Sequence, residues 1–222
     1  MLAPFEFTEQ KPQSYRAMDE VFGESRGTPI DRYYIEKFLS GRKNFKRDIK
    51  VLEVGDSNYS KKYFPNAKHF VLEYESGSPG LIIKKTLLLD LGSETLSIAG
   101  EFDVIIVPQT LNFIFNVQQA ADNLVNLLRP GGQMLITSGF ISQLSTYDYD
   151  RWGEFWRLTD KALAKIFSNV NVSVTTNQYG NLSAALLLLQ CYSVEDVRKL
   201  GLLDHSEQCY PVIYTALVEK NE

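Results

Sequence analysis

From residue 49 onward the chain alternates short apolar runs of strand length with stretches in which apolar side chains recur every three or four positions. The runs IKVLEVG (49–55), HFVLEYE (69–75), TLLLDL (86–91), FDVIIVP (102–108) and QMLITSG (133–139) predict five strands. FDVIIVP is apolar on both faces, as a central parallel strand covered by helices must be. Between the fourth and fifth runs, Val117, Ala120, Ala121, Leu124, Leu127 and Leu128 fall at helical spacing. A helix is therefore predicted over 117–132, ended by Pro130, Gly131 and Gly132.

Further along, TDKALAKIFS (159–168) reads as a helix with Thr159 at its N-cap, and NVSVTTNQ (171–178) alternates as a strand. LSAALLLLQCY and SVEDVRKLG supply two more helices, and YPVIYTALVE (210–219) closes the sheet. Strands alternating with helices predict an α/β fold of the Rossmann-like, doubly wound kind. Its sheet is expected to have seven strands, mostly parallel, with an antiparallel last strand. Residues 1–48, whose best helix is DRYYIEKFLSG (31–41), form an N-terminal helical cap, and 49–222 the main domain.

Composition narrows the class. The chain has 222 residues, 44% hydrophobic and 23% charged, values typical of a globular domain. Net charge is −4, and the one basic run, GRKNFKRDIK (41–50), is too short for a nucleic-acid face. AALLLLQCY (184–192) falls well short of the roughly 20 apolar residues of a membrane span. MLAPFEFTEQ lacks a signal-peptide pattern, so a cytoplasmic location is expected. Cys191 and Cys209 form no CxxC pair, and no metal site is expected.

The chemistry centres on the first turn, VLEVGDSNYS (51–60). Dinucleotides need a G-x-G-x-x-G turn so that backbone amides can approach their phosphates. Here Gly55 stands alone and Asp56 follows it, which disfavours NAD and FAD. A cofactor bearing a sulfonium, an α-amino group and a ribose instead wants carboxylates and one close backbone approach. Glu53, Gly55 and Asp56, with Ser57 in the same turn, supply that mixture. Glu73 can accept from both ribose hydroxyls, and Asp90 from an adenine amine, with Leu91 packed on the ring. Acids at the ends of three strands point to an adenosyl group.

On these residues the chain resembles the class I S-adenosylmethionine-dependent methyltransferases. VLEVGD matches the first motif, Glu73 the ribose acid, LLLDL the adenine-side acid, and FDVIIVPQTLNFI the fourth-strand motif, with Pro108 and Gln109 at its end. LLRPGGQMLIT matches the stretch before the fifth strand. More narrowly, RGTPIDRYYIEKFL, VLEVGDSNY, PQTLNFI, DRWGEFWRLT and YGNLSAAL resemble a bacterial group found with glycosyltransferases in surface-polysaccharide synthesis. The resemblance implies metal-independent methyl transfer from S-adenosylmethionine to an oxygen of a saccharide or related polar small molecule, with a glycosyltransferase as a partner. Two features depart from the pattern: the first turn lacks GxGxG, and Phe113 stands where many relatives have a histidine.

Between 142 and 159 lies a segment without clear period that holds both tryptophans of the protein among aromatic and charged neighbours. It reads as a loop over the acceptor. Trp152 and Trp156 would stack on a polar ring and Arg151 and Arg157 would hold its substituents. Asp148, then Asp150, are the candidate general bases. Arg26, Asp31 and Tyr33 either close over the methionine end of the cofactor or make interhelical contacts. The competing reading is an inactive methyltransferase-like domain that scaffolds a glycosyltransferase.

Overall fold

The computed structural model describes residues 17–41, 48–74, 81–83, 87–89, 99–168 and 171–222, without the side chains of 73, 74, 81–83 and 87–89. Eight strands form one sheet in the order β4-β3-β2-β1-β5-β6-β8-β7. They are β1 Lys50–Val54, β2 Lys68–Tyr74, β3 Leu81–Ile83, β4 Leu87–Leu89, β5 Phe102–Pro108, β6 Leu128–Gly139, β7 Val172–Tyr179 and β8 Ile213–Lys220. β1 runs parallel to β2 and β5, and β5 parallel to β6; β8 lies antiparallel between β6 and β7. The chain moves outward from β1 to β4, then returns to β5 on the other side of β1. That reversal makes the carboxyl ends of β1 and β5 the topological switch point, where open parallel sheets bind ligands.

Alternation along the strands divides the apolar side chains between two faces. Leu52, Ile105, Val107, Met134 and Ile136 face one core with the helices α3 (Val117–Leu127) and α5 (Asp160–Ile166). Val51, Val104, Ile106 and Leu135 face the other, with α1 (Ile30–Ser40) and α6 (Leu182–Leu189). Ile30, Tyr34, Ile35 and Phe38 are the buried face of α1. The N-terminal helix thus packs on the same sheet layer as α6.

The doubly wound α/β class is as expected, with three differences of detail. The sheet has eight strands where seven are expected, because Leu81–Ile83 pairs antiparallel with β2 and with β4 and so stands between them. The helix α3 ends at Leu127, not 132, and extended backbone begins at Leu128. Pro-Gly-Gly there serves a strand irregularity: Leu128 pairs with Phe102, and pairing resumes at Gln133 opposite Val104. A side chain at Gly132 would meet the Arg129 carbonyl at 2.9 Å and the Asp103 carbonyl at 3.0 Å, so only glycine fits that close approach. Third, the 142–159 segment is not all loop. It contains the helix α4 (Thr146–Trp152), capped by the Ser145 hydroxyl, which accepts from the Asp148 amide.

Candidate functional site

One cleft of about 980 Å³ opens at the switch point. Its floor is formed by Val54 and Gly55 after β1, Pro108 and Gln109 at the end of β5, and Gly139 at the end of β6. Two walls stand on that floor. The first is N-terminal: Phe22, Glu24 and Pro29 from residues 17–29, then Asp31 and Arg32 from α1. The second runs from Asn112 to Asn116 and includes Asp148, Arg151 and Trp152 of α4, with Glu154 and Arg157 beyond it.

The floor shows why its residues are of these types. Gly55 has φ +98°, a region that side-chain-bearing residues rarely enter, and a Cβ built there meets no atom within 4 Å. The backbone is thus bare towards the cleft, as a ligand in close approach requires. Gln109 has φ +45° without being glycine, a strain of about 1–2 kcal/mol. It is held by its amide, which donates to the Thr137 carbonyl at 2.9 Å, and by its side chain, whose Nε2 donates to Asp31 Oδ2 at 2.7 Å. Strand β5 and helix α1 are joined across the cleft by that bond.

Glu53 has a different place from the one expected. It is fully buried and does not line the cleft; its carboxylate accepts from the amides of Tyr59 (3.1 Å) and Ser60 (2.7 Å) in α2 (Asn58–Tyr63). Burial pushes its pKa up to about 7, against the pull of those amides. Asp56 is exposed and closes its own turn, accepting from the Asn58 amide at 2.8 Å and side chain at 2.7 Å. Ser57 is the N-cap position of α2, and its carbonyl accepts from the Lys61 amide. None of the three lines the cleft, whereas Gly55, Pro108 and Gln109 do. The side chain of Glu73, together with Asp90 and Leu91, lies outside the described residues.

On the second wall, Asp148, Arg151, Trp152 and Arg157 line the cleft. Asp150 is exposed and does not. Asp148 Oδ2 accepts from Ser145 Oγ at 2.7 Å, which fixes its rotamer. Arg151 lies 3.3 Å over the Tyr147 ring, and Trp152 packs edge-on against Phe113. Arg157 is paired with Glu154 at 2.7 Å and donates to the Gln143 carbonyl at 3.2 Å. Trp156 stands behind this wall: its indole N–H donates to the Ile114 carbonyl at 3.0 Å, and its ring stacks on Phe115, which is 70% exposed and lines the cleft. The expected position of a relative's histidine, Phe113, is thus part of an aromatic surface.

Sequence reasoning missed the strap that makes the first wall. Residues 17–29 are latched to the start of α7 (Val194–Val197): Arg26 pairs with Asp196 through two 2.9 Å bonds, and the Thr28 amide and hydroxyl donate to Glu195. Arg26 and Tyr33 therefore serve packing, the latter donating to Asp204 at 2.9 Å, while Asp31 alone of that trio faces the cleft. The capping sequence SVED, a serine followed three residues later by an acid, was the available signal for the latch. Asn112 was also missed. It is 8% exposed, lines the cleft and carries a buried Oδ1 without a hydrogen-bond partner among the described residues.

No His, Cys, Asp or Glu group of three or more converges as metal ligands would, and no helix is long and apolar enough to cross a membrane, among the described residues.

No protein-family description and no curated protein matches the sequence. Solved structures do match the fold. A methyltransferase of Haloferax volcanii, described in complex with its Trm112 activator, superposes with TM-score 0.56 at 9% identity, over 86% of this chain and 92% of its own. The N-methyltransferase NodS of Bradyrhizobium japonicum WM9, in complex with S-adenosyl-L-homocysteine, gives 0.51 at 16% identity, over 90% and 91%. The [4+2]-cyclase SpnF gives 0.54 at 12%, over 88% and 83%. At these identities the likeness is one of fold: the chain has the Rossmann-like architecture of the class I methyltransferases, which also houses a cyclase.

Proposed function

We propose that the protein is an S-adenosylmethionine-dependent methyltransferase acting on an oxygen of a saccharide or related polar small molecule. The observation that carries this reading is the cleft at the β1–β5 switch point, with the bare Gly55 backbone on one side and the Asp148–Trp152 wall on the other. A volume of about 980 Å³ accommodates an adenosyl cofactor and a small acceptor together. The residues present fit the cofactor. Gly55 permits close approach, Pro108 and Gln109 line the floor, and Glu73 ends the second strand where a ribose acid is expected.

Bound there, the cofactor supplies an electrophilic methyl group with a good leaving group already in place. What remains for the chain is alignment, exclusion of water and management of one proton. Phe113, Phe115 and Trp152 give the acceptor an apolar ring surface, and Arg151 donates to its substituents. Asp148, oriented by Ser145, has acceptor capacity left for a hydroxyl proton. Because Asp150 does not line the cleft, Asp148 is the base in this reading, and the chain's own groups perform the catalysis without a metal. A cytoplasmic location and a glycosyltransferase partner accompany the polysaccharide reading as proposals resting on sequence resemblance.

Calorimetric titration of S-adenosylmethionine and S-adenosylhomocysteine into the wild-type chain and Glu73→Ala tests the reading. Micromolar binding that weakens at least tenfold in the variant supports it. Absence of binding to the wild-type chain overturns it and favours the inactive scaffold.

A further inference from the structure

Asp31 and Arg32 are consecutive residues of α1, yet they reach opposite sides of the switch point. Asp31, 4% exposed, is tied to β5 through the Gln109 amide at 2.7 Å, and its other oxygen accepts from the Arg32 backbone amide at 2.8 Å. The Arg32 guanidinium sits beside the phenol of Tyr59 in α2, the helix that follows the Gly55 turn. Both residues line the cleft. The cleft's N-terminal wall thus offers a fixed negative group at the end of β5 and a cationic fork at the end of β1.

The other arginines near this cleft are ion-paired or stand on the opposite wall. Arg157 is paired with Glu154, Arg26 with Asp196, and Arg151 lies over Tyr147. Among the described residues Arg32 makes no such ion pair; its guanidinium donates to the Tyr59 phenol, and while burial in the wall works against its charge, Asp31 helps to sustain it. A guanidinium kept charged and exposed to a ligand cleft calls for an anion, ideally a planar carboxylate that two N–H groups can grip together. A carboxylate whose rotamer is fixed by a strained glutamine calls for a donor in a defined place.

We propose that Asp31 and Arg32 form a clamp for a zwitterion, the α-amino-carboxylate end of the adenosyl cofactor. Arg32 donates to the carboxylate, and Asp31 accepts from the ammonium. The proposal rests on the cofactor reading above and adds to it the residues that distinguish an amino-acid tail from a bare nucleoside. It also gives α1 a role: the helix carries the tail site, so the N-terminal segment is part of the ligand cleft.

The test compares two ligands that differ in the tail alone. S-adenosylhomocysteine carries it, and 5′-methylthioadenosine lacks it. Each is titrated calorimetrically into the wild-type chain, Arg32→Gln and Asp31→Asn, with thermal melts to verify folding. Wild-type chain is expected to prefer S-adenosylhomocysteine. Arg32→Gln is expected to weaken that ligand roughly ten- to a hundredfold while leaving 5′-methylthioadenosine within about twofold. Equal weakening of both ligands, or of neither, overturns the clamp. Since Arg32 is not in the core, that result stands even if Asp31→Asn fails to fold. Binding of 5′-methylthioadenosine as tightly as S-adenosylhomocysteine by the wild-type chain overturns the clamp but leaves an adenosyl site standing. Binding of neither overturns the cofactor reading itself.

Discussion

Glu53 accepts a 2.7 Å hydrogen bond from the amide of Ser60, and so a buried acid fastens the first strand to the short helix that follows its turn. The bond replaces a cap. Ser57, the N-cap residue of α2, makes no side-chain capping bond, and the carboxylate seven residues before Ser60 satisfies the free amides from below.

That arrangement makes stability depend on pH in an unusual direction for a carboxylate. Glu53 is raised from 4.5 to about 7, so the folded state holds its proton more tightly than the unfolded chain does. Its contribution is fully present below about pH 4.5 and is lost as pH rises through about 7. The stability of the wild-type chain relative to Glu53→Gln should therefore fall between pH 5 and pH 8. Melting both proteins across that range checks it; a constant difference would refute the assignment.

Asp196 titrates with the opposite sign. The Arg26 guanidinium holds it at about 2, below the usual 3.8, so its contribution to the latch is present above 3.8 and is lost as pH falls towards 2. Arg26→Ala is expected to speed amide exchange in residues 18–29 while leaving β1 and β5 protected. Hydrogen exchange read by mass spectrometry reports both regions in one experiment.

Gly55→Ala places a Cβ in open space, so any cost comes from the backbone at φ +98° alone. A loss of about 1–2 kcal/mol is expected, or a drop of several degrees in Tm for a chain of this size. Gly55→Asn should lose less, since asparagine tolerates positive φ better than alanine does. Thermal unfolding of the two variants distinguishes strain from packing.

Arg129 reaches back to Asp103, whose side chain is 1% exposed, at 3.0 Å, and to the Gly100 carbonyl. Removing the guanidinium takes a charged partner from a buried carboxylate to which the Lys50 amide still donates at 2.8 Å. Arg129→Ala should cost roughly 3 kcal/mol in urea denaturation with the slope unchanged. Adding Asp103→Asn should recover part of that loss.

Much of the fold was legible because the apolar periods are long and clean. FDVIIVP could only be a central strand, and the α3 pattern could only be a helix. What misled was punctuation: Pro130, Gly131 and Gly132 read as a helix stop, whereas Gly132 is required where the strand crowds the Arg129 and Asp103 carbonyls. Local sequence does not reveal which backbone a glycine will lie against. That Gly55, Gln109, Asp148 and Arg151 would line the cleft was readable from their places after strands or in the aromatic segment. Glu53 was misread because an acid at a strand end can point either to a ligand or to the next helix, and the pleat decides. Arg32 and Asn112 were missed since their places on the cleft arise from walls assembled by segments far apart in sequence.

The strand β3 has one more consequence. It separates β2 from β4 with two antiparallel pairings in succession, and two reversals restore the original direction. β4 therefore ends on the same edge as β1, β2, β5 and β6, two strand spacings, about 10 Å, out from β2. Parity lets a sheet lengthen its ligand-binding rim without turning any of its parallel strands around.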